Sequence, residues 1–506
     1  MGKIIKTYPA NAKQGDKKAI AAEIYGNRFH ADQTLYEYLI EFLLIFVSDD
    51  VEGVNPKEAL TFHDPNAVGD LYYRVQPRIG LKRFIFFDKN KKNDALKIDR
   101  LAYQKMMKAL MGKIQDCEED EKKEVLESLQ DLLHGYAVVL KKRTWCAQAM
   151  LPLCPELIFC EAMPAKKKRS SIQWYEECTD ERDPEEEKHK IDTEFDFDKR
   201  NFLARGGELY YLHILQGLQG HPEKQKLLEW LLKEQLVERG RKMSLIANFV
   251  QDTWEECMEY KQHPTERLSM SYIPEGAYHS IAGYSVDELI NYMSCRMHPV
   301  KKIELLSKGV MLQVMRMLSV STSNYLHQDR ECWIMDMGGS TGNVVKRIAA
   351  GSFTNEQGTF TSAIGTCIEE DDSVERIKKI RKARKDSFDI FRSKGKELQC
   401  IIPKSGPYER FTLPEDCIRF LVLALIPPQG KMTVDMFLDV LYDRYGIVIG
   451  PVQYKRMNGA DISLANSFNE NVNSFQDFLK STGFLRELSD ATSIVVNPYE
   501  ELRGEE

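Results

Sequence analysis

The sequence lacks two of the short motifs by which many enzymes are recognised. It contains no G-x-x-x-x-G-K-[ST] phosphate-binding loop and no H-E-x-x-H zinc motif. Its 11 cysteines are scattered, without the closely spaced C-x2-4-C pairs of a structural zinc site. We therefore predict free thiols in a reducing compartment, no metal site and no cofactor.

Long hydrophobic runs are also lacking. The most apolar segment, residues 35–47, is too short to cross a bilayer and carries Glu37 and Glu41, so it predicts a buried core helix. The N-terminal residues have neither the apolar core nor the small-residue cleavage site of a signal peptide. These features predict a cytoplasmic protein that has no membrane partner.

The composition is that of a folded protein. Of 506 residues, 43% are hydrophobic and 29% are charged, and the formal net charge is −7. This length exceeds what one hydrophobic core usually holds, so we predict several domains. The mild negative charge excludes a uniformly basic coat protein but allows a local basic surface.

Helical spacing of apolar residues dominates the chain and predicts a mainly α (α+β) fold with short β segments. Shifts in composition divide it into a helical N-terminal domain (1–160), a charged linker or long loop (161–200), a central helical domain (201–400) and a winged-helix-like domain (401–506). A short apolar run at 83–87 predicts a strand. Ser285 and Glu288 have the spacing of a capping box that begins a helix.

The C-terminal part shows three helical segments followed by two short strands. The helical segments are EDCIRFLVLALI, TVDMFLDVLYDRYG and FNENVNSFQDFLKS; Gly483 follows the third, and LRELSDATSIVVNPY predicts a hairpin around Ser489 and Asp490. This order resembles the winged-helix superfamily over roughly residues 410–500.

The winged-helix resemblance implies a DNA-reading role for the third helix, because this helix usually enters the major groove while the wing contacts phosphate. The implied contacts are Asn471, Asn473, Gln476 and Lys480. Only one of these is a cation, whereas phosphate contacts usually need several. Many winged helices bind proteins instead, so both uses remain open.

A basic segment at 373–397 precedes this module. Its apolar residues Ile377, Ile380, Phe388 and Phe391 predict one helix docked on a core. Its cations are Arg376, Lys378, Lys379, Arg381, Lys382, Arg384 and Lys385. Such a row can bind the phosphates of a nucleic-acid backbone without reading its bases. The alternative is a solvated helix face whose charges pair with the acids at 369–372.

A glycine-rich loop follows the strand-like segment WIMDM. Asp336 ends that segment, and Gly338, Gly339 and Gly342 follow before a helical stretch. The outline resembles the first motif of the class I methyltransferases, which bind S-adenosylmethionine, and the phosphate loop of actin-like ATPases. It departs from the methyltransferase pattern at Ser340, and too little chain follows for a doubly wound sheet.

Two functional hypotheses follow from these patterns. The first is a non-enzymatic subunit that binds DNA or a partner protein within a larger nucleic-acid-processing complex, for example a bacterial antiviral defence system. The second is an enzyme that binds a nucleotide or an S-adenosylmethionine-like molecule at 336–343. The missing motifs favour the first.

Overall fold

The computed structural model describes residues 6–14, 20–26, 29, 32–48, 60–89, 97–139, 143–164, 195–196, 203, 205–257, 267–339, 343–368, 372–459, 464–487 and 493–502. Within these residues the protein is mainly helical with short strands, which confirms the predicted fold class. Most of the predicted charged linker lies outside them. No helix in the described ranges is both long and apolar enough to span a membrane.

The N-terminal part contains five helices in its described residues. They are α1 (Ile20–Tyr25), α2 (Leu35–Phe46), α3 (Ile79–Phe86), α4 (Lys97–Lys113) and α5 (Glu119–His134). Helix α2 is the core helix predicted from its apolar run, and even Glu37 and Glu41 are buried on it. Glu37 is stabilised there by the guanidinium of Arg143 and by the backbone N–H of Thr34.

The strand predicted at 83–87 is wrong, because residues 83–86 belong to helix α3 and Phe87 is the residue that follows its end. A short apolar run does not distinguish a strand from a buried helix. The helix places the Arg83 guanidinium between the rings of Trp145 and Trp254, 4.8 and 4.7 Å from their centroids. It also lies 2.9 Å from the Asp99 carboxylate, so this buried charge is paired.

The central part consists of longer helices. They are α6 (Gly206–Gly217), α7 (Pro222–Lys233), α8 (Arg241–Cys257), α9 (His279–Ser294), α10 (Pro299–Tyr325) and α11 (Val344–Thr366). A π-helical turn (Glu234–Glu238) extends α7. Helix α10 is almost wholly buried and packs against α2, α11 and further helices described below.

The capping box predicted at Ser285 and Glu288 is wrong. Helix α9 begins at His279, so both residues lie inside it, and both are fully buried. Their polar side chains are there because they contact buried polar groups of neighbouring helices, not because they cap a helix end.

The basic segment forms two helices, α12 (Ser373–Lys385) and α13 (Phe388–Glu397), so the single helix predicted at 373–397 is also wrong. The chain turns at Asp386 and Ser387, and the Ser387 hydroxyl donates to the carbonyl of Ala383. The turn lets Phe388 and Phe391 of α13 enter the core, whereas Ile377 of α12 is half-exposed.

The C-terminal module follows. Its helices are α14 (Glu415–Leu425), α15 (Val434–Tyr445), α16 (Pro451–Asn458) and α17 (Ala465–Ser481). Helix α17 ends as predicted, because Gly483 adopts a φ of +81° and the Phe484 N–H donates to the Leu479 carbonyl at 2.8 Å.

The strands form one three-stranded sheet and several two-stranded pairs. The bounds are β1 (Thr7–Tyr8), β2 (Tyr72–Tyr73), β3 (Met163–Pro164), β4 (Phe195–Asp196), β5 (Leu268–Ser269), β6 (Ile273–Pro274), β7 (Trp333–Ile334), β8 (Ile401–Ile402), β9 (Arg410–Phe411), β10 (Lys431–Thr433), β11 (Ile447–Val448), β12 (Leu485–Glu487) and β13 (Ser493–Val496). The antiparallel pairs are β1–β6, β2–β5, β3–β4 and β8–β9, and β7 pairs with β11 in parallel.

The three-stranded sheet has the order β10–β13–β12, in which Met432 lies opposite Val495 and Arg486 opposite Ile494. In this module α14 is followed by β10, α15, β11, α16, α17, β12 and β13, and β13 pairs with β10. Helix α16 was not predicted, and the winged-helix resemblance stays a prediction. The predicted turn at Ser489 and Asp490 lies outside the described residues.

A buried polar cluster joins this module to the central helices. The Glu288 carboxylate of α9 lies 3.0 Å from the Arg316 guanidinium of α10, and both side chains are completely buried. The Tyr445 hydroxyl of α15 donates to Glu288 at 2.7 Å, and the Arg316 guanidinium lies 4.2 Å from the Tyr445 ring centroid. A buried ion pair needs such additional partners, so α15 is held at a defined position.

Candidate nucleic-acid interface and adjoining pocket

Helix α12 presents most of its surface to solvent. Asp372 caps its N-terminus by accepting the N–H groups of Val374 and Glu375, and Ala383 is its buried residue. The helix therefore contacts the protein along a narrow line, and its cations are distributed around the remaining faces.

The structure separates the predicted cations of α12 into two groups. Arg376 donates to the carbonyls of Gly365 and Ile368 at the end of α11, so its role is structural. Lys378 lies 3.2 Å from Glu375, and Arg384 lies 3.5 Å from Asp389.

The second group carries unpaired charge. Arg381, Lys382 and Lys385 are exposed, and no ion pair links them to any acid in the described part of the chain. Lys379 is exposed too, but it makes an interaction of its own and does not belong to this group. The acids proposed as alternative partners at 369–371 lie outside the described residues, and Asp372 is used by the helix cap.

Helix α17 differs from this arrangement. Asn473 is exposed, Gln476 is half-buried, and Lys480 lies 2.9 Å from Glu487 on β12. The hydrogen bond that Lys480 donates to the Glu487 carboxylate raises the pKa of Lys480. Asp477 is exposed on the same helix, so its open face carries no excess of positive charge.

Asn471 is buried and does not belong to an exposed reading face. Its amide donates to the carbonyls of Met335 and Ile449 at 3.0 and 2.9 Å, and its side-chain oxygen accepts the Met337 N–H at 2.8 Å. The residue thus joins α17 to the chain that follows β7 and β11.

The glycine-rich loop begins beside this contact. The Asp336 carboxylate lies 2.7 Å from Arg410 and accepts the Gly338 N–H at 3.0 Å, while Thr412 donates to the Asp336 carbonyl. Gly339 faces α17 closely: a Cβ atom there would lie 1.9 Å from the Ser474 hydroxyl oxygen. Helix packing therefore explains this glycine without a ligand.

Gly342 lies outside the described residues, as does Ser340. Residues 338–342 also fit the G-x-S-x-G pattern of a nucleophile elbow, which is an alternative to a cofactor-binding loop. In the part of the chain that is described, the strand before the loop belongs to a two-stranded pair, whereas an elbow stands on a large α/β sheet.

A pocket of about 740 Å³ opens beside Asp336, Met337 and Gly338. Its walls come from α13, from the β8–β9 hairpin, from the start of α14 and from Phe478 of α17. The remaining lining residues are Ser393, Lys396, Glu397, Gln399, Ile401, Ile402, Lys404, Arg410, Thr412, Leu413 and Pro414. The sequence does not predict this pocket, because the residues that line it are far apart along the chain.

No cluster of metal-ligating side chains occurs among the described residues. One isolated histidine, His213, is explained by packing. His213 is fully buried, its Nε2 lies 2.8 Å from the Ser285 hydroxyl oxygen, and burial lowers its pKa to about 3. A histidine held neutral in this way serves as a structural hydrogen-bonding group.

The C-terminal part of the chain is similar to a known protein family. Residues 378–498 match the family of the methylation-associated defense system protein MAD7. The match begins within α12 and ends just after β13, so it includes Arg381, Lys382 and Lys385, the pocket residues from 393 onward and the C-terminal module. No curated protein matches the chain, and no solved structure does. The C-terminal part is thus similar to a defence-system protein.

Proposed function

We propose that this chain is a non-enzymatic subunit of a defence system that binds the backbone of nucleic acid through α12. The carrying observation is the exposed trio of Arg381, Lys382 and Lys385, which has no ion-pair partner among the described residues. Cations already paired within a protein contribute little to phosphate binding, because their partners must first be displaced. The similarity to a defence-system family over residues 378–498 supports the setting.

The geometry of α12 favours binding without base specificity. Arg381, Lys382 and Lys385 span little more than one helical turn, which brings their charges within reach of neighbouring phosphates. Helix α17 supplies Asn473 and Gln476 as polar groups but no unpaired cation in its described surroundings. We therefore assign phosphate binding to α12, which Arg376 anchors to the end of α11, and we propose that the module contacts partner subunits.

The domain division proposed above fits this role. Under it, the helical parts at 1–160 and 201–400 form a scaffold, and the cluster of Glu288, Arg316 and Tyr445 fixes the module relative to them. A rigid connection lets a partner bound to the scaffold act at a set distance from the nucleic acid.

Salt dependence of binding tests the proposal. The variant Arg381→Gln/Lys382→Gln/Lys385→Gln should bind a labelled duplex more weakly. The slope of log K against log salt should fall by about 0.9 for each phosphate contact removed. Fluorescence anisotropy at several salt concentrations measures both quantities.

A matched control uses Lys105→Gln, Lys108→Gln and Lys226→Gln, which neutralise three exposed lysines on α4 and α7. The control should keep the affinity and the salt slope of the unaltered protein. Equal losses in both triple variants would show that only overall charge matters, and absence of duplex binding at low salt would reject the proposal.

The pocket supports a second candidate function, a small-molecule site beside Asp336 and Gly338. Its volume lies in the range of ligand pockets. The Asp336 carboxylate, however, is already bound by Arg410 and by the Gly338 N–H. Titration with S-adenosylmethionine and with ATP, followed by calorimetry, tests this candidate; heat that saturates and disappears in Arg410→Ala would support it.

A further inference from the structure

We propose that the pocket beside α17 holds one unpaired nucleobase of the bound nucleic acid. This inference rests on the proposed nucleic-acid function and adds a second element to it, a binding site for a base that has left the stack. It is distinct from phosphate binding by α12 and concerns other residues.

The walls of the pocket suit a flat ring. The half-buried Ile402 and Pro414 supply aliphatic surface from the β8–β9 hairpin and the chain leading into α14, and the buried Ile401, Leu413 and Met337 form the apolar wall behind them. The volume of about 740 Å³ exceeds what a single base needs, so the attached sugar also fits.

Phe478 supplies the aromatic partner. It lies on α17 with 39% of its side chain exposed, whereas Phe475 and Leu479 on the same helix are buried. It makes no ring–ring contact with the aromatic residues of the described ranges. An exposed ring lining a pocket costs free energy in water, and stacking of a base would recover it.

Polar groups at the pocket complement a nucleotide. The side-chain amide of Gln399 is exposed and makes no hydrogen bond to the described residues. The Thr412 hydroxyl donates to the Asp336 carbonyl, and its oxygen can still accept a hydrogen bond. Lys404 is exposed and unpaired within the described part of the chain. The amide can reach the edge of a base, and the ammonium group can bind its phosphate.

The charge of the lining agrees with an anionic ligand. Lys396, Lys404 and Arg410 stand against Asp336 and Glu397, which leaves an excess of one positive charge. Asp336 is neutralised by Arg410. Two pairs reach outside the lining, because Glu397 lies 2.9 Å from Lys394 and Lys396 pairs with Glu409. Lys404 therefore remains the cation available to a ligand.

The experiment compares two labelled duplexes that differ by one unpaired nucleotide in the middle of one strand. We expect the unaltered protein to bind the bulged duplex more tightly. Phe478→Ala should remove this preference, with a loss of about 5- to 100-fold on the bulged duplex, because base–aromatic stacking has this strength. Phe478→Tyr should retain it.

Met436→Ala is the control, because Met436 is an apolar side chain of the same module with 57% exposure and lies outside the pocket lining. It should leave both affinities unchanged. Equal binding of the two duplexes by the unaltered protein would overturn the inference, and it is the result expected if the pocket receives an apolar side chain of a partner protein.

The inference and the proposed function fail in different ways. If the bulge has no effect but the Arg381/Lys382/Lys385 variant still loses duplex binding, the pocket inference is wrong and backbone binding stands. If Phe478→Ala lowers binding of both duplexes equally, the ring does not hold an unpaired base, and the inference is again wrong.

Discussion

Helices α12 and α17 are both rich in polar residues, yet their polar groups serve different purposes. On α12, Arg381, Lys382 and Lys385 are exposed and unpaired among the described residues. On α17, Asn471 is buried and forms hydrogen bonds with backbone groups, and Lys480 pairs with Glu487. A polar side chain that already satisfies the fold has little left for a ligand, so the comparison directs attention to α12.

The strongest test of this comparison replaces one buried, paired arginine, Arg316, and one exposed arginine, Arg381. Arg316→Met leaves the Glu288 carboxylate buried without its main cation, and we expect the free energy of unfolding to fall by about 3–5 kcal/mol. Arg381→Met removes an exposed charge and should change it by less than about 0.5 kcal/mol. Urea unfolding of both variants measures the difference. Equal stabilities would show that the cluster does not hold the module in place.

A second test uses pH. Glu356 of α11 is fully buried, and burial raises its pKa from 4.5 to about 8. The folded state therefore keeps a proton that the unfolded chain releases above pH 4.5. Stability from this group is complete below pH 4.5 and falls as pH rises towards 8, by up to about 1.4 kcal/mol per unit.

Glu356→Gln keeps the shape of the side chain and removes the titration. We expect the variant to be more stable than the unaltered protein at pH 7–8 and similar to it near pH 4.5. A pH profile of unfolding that is unchanged in Glu356→Gln would contradict the assignment.

A third test compares two asparagines on one helix. Asn471→Ala leaves the Met337 N–H and the Met335 and Ile449 carbonyls without their partner, and we expect a loss of about 2–3 kcal/mol. Asn473→Ala, two residues further on, should have little effect on stability because its side chain is exposed. Thermal unfolding of the pair measures this, and similar midpoints would mean that Asn471 is not a structural contact.

Some elements of the molecule could be predicted from the sequence, and others could not. Apolar periodicity was sufficient for α2, α14, α15 and α17 and for strands β12 and β13, because these elements depend on local spacing, but it did not predict α16 or β10. It failed at 83–87, where a short apolar run fits either a strand or a helix, and at 373–397, where the turn at Ser387 depends on how Phe388 and Phe391 enter the core.

Functional residues were harder to predict than elements. The cations of α12 could be found from their density, but the sequence does not show that Arg376 bonds to the carbonyls ending α11 while Arg381 remains unpaired. The pocket combines Met337, Ile401 and Phe478, which are separated by long stretches of chain, so spacing carries no signal for it. Asp336 was singled out for its position before glycines, and its contact with Arg410 could not be foreseen.

The smallest expected effect concerns Lys480. Its ammonium group lies 2.9 Å from Glu487, and both side chains are well exposed, so solvent screening leaves the pair with little effect on stability. If α12 alone binds the phosphates, Lys480→Gln should leave duplex affinity and its salt slope unchanged, while Lys382→Gln should lower both. Anisotropy titrations at two salt concentrations decide between them. A matching loss for Lys480→Gln would restore α17 to the interface, because the lysine would then have exchanged Glu487 for a phosphate.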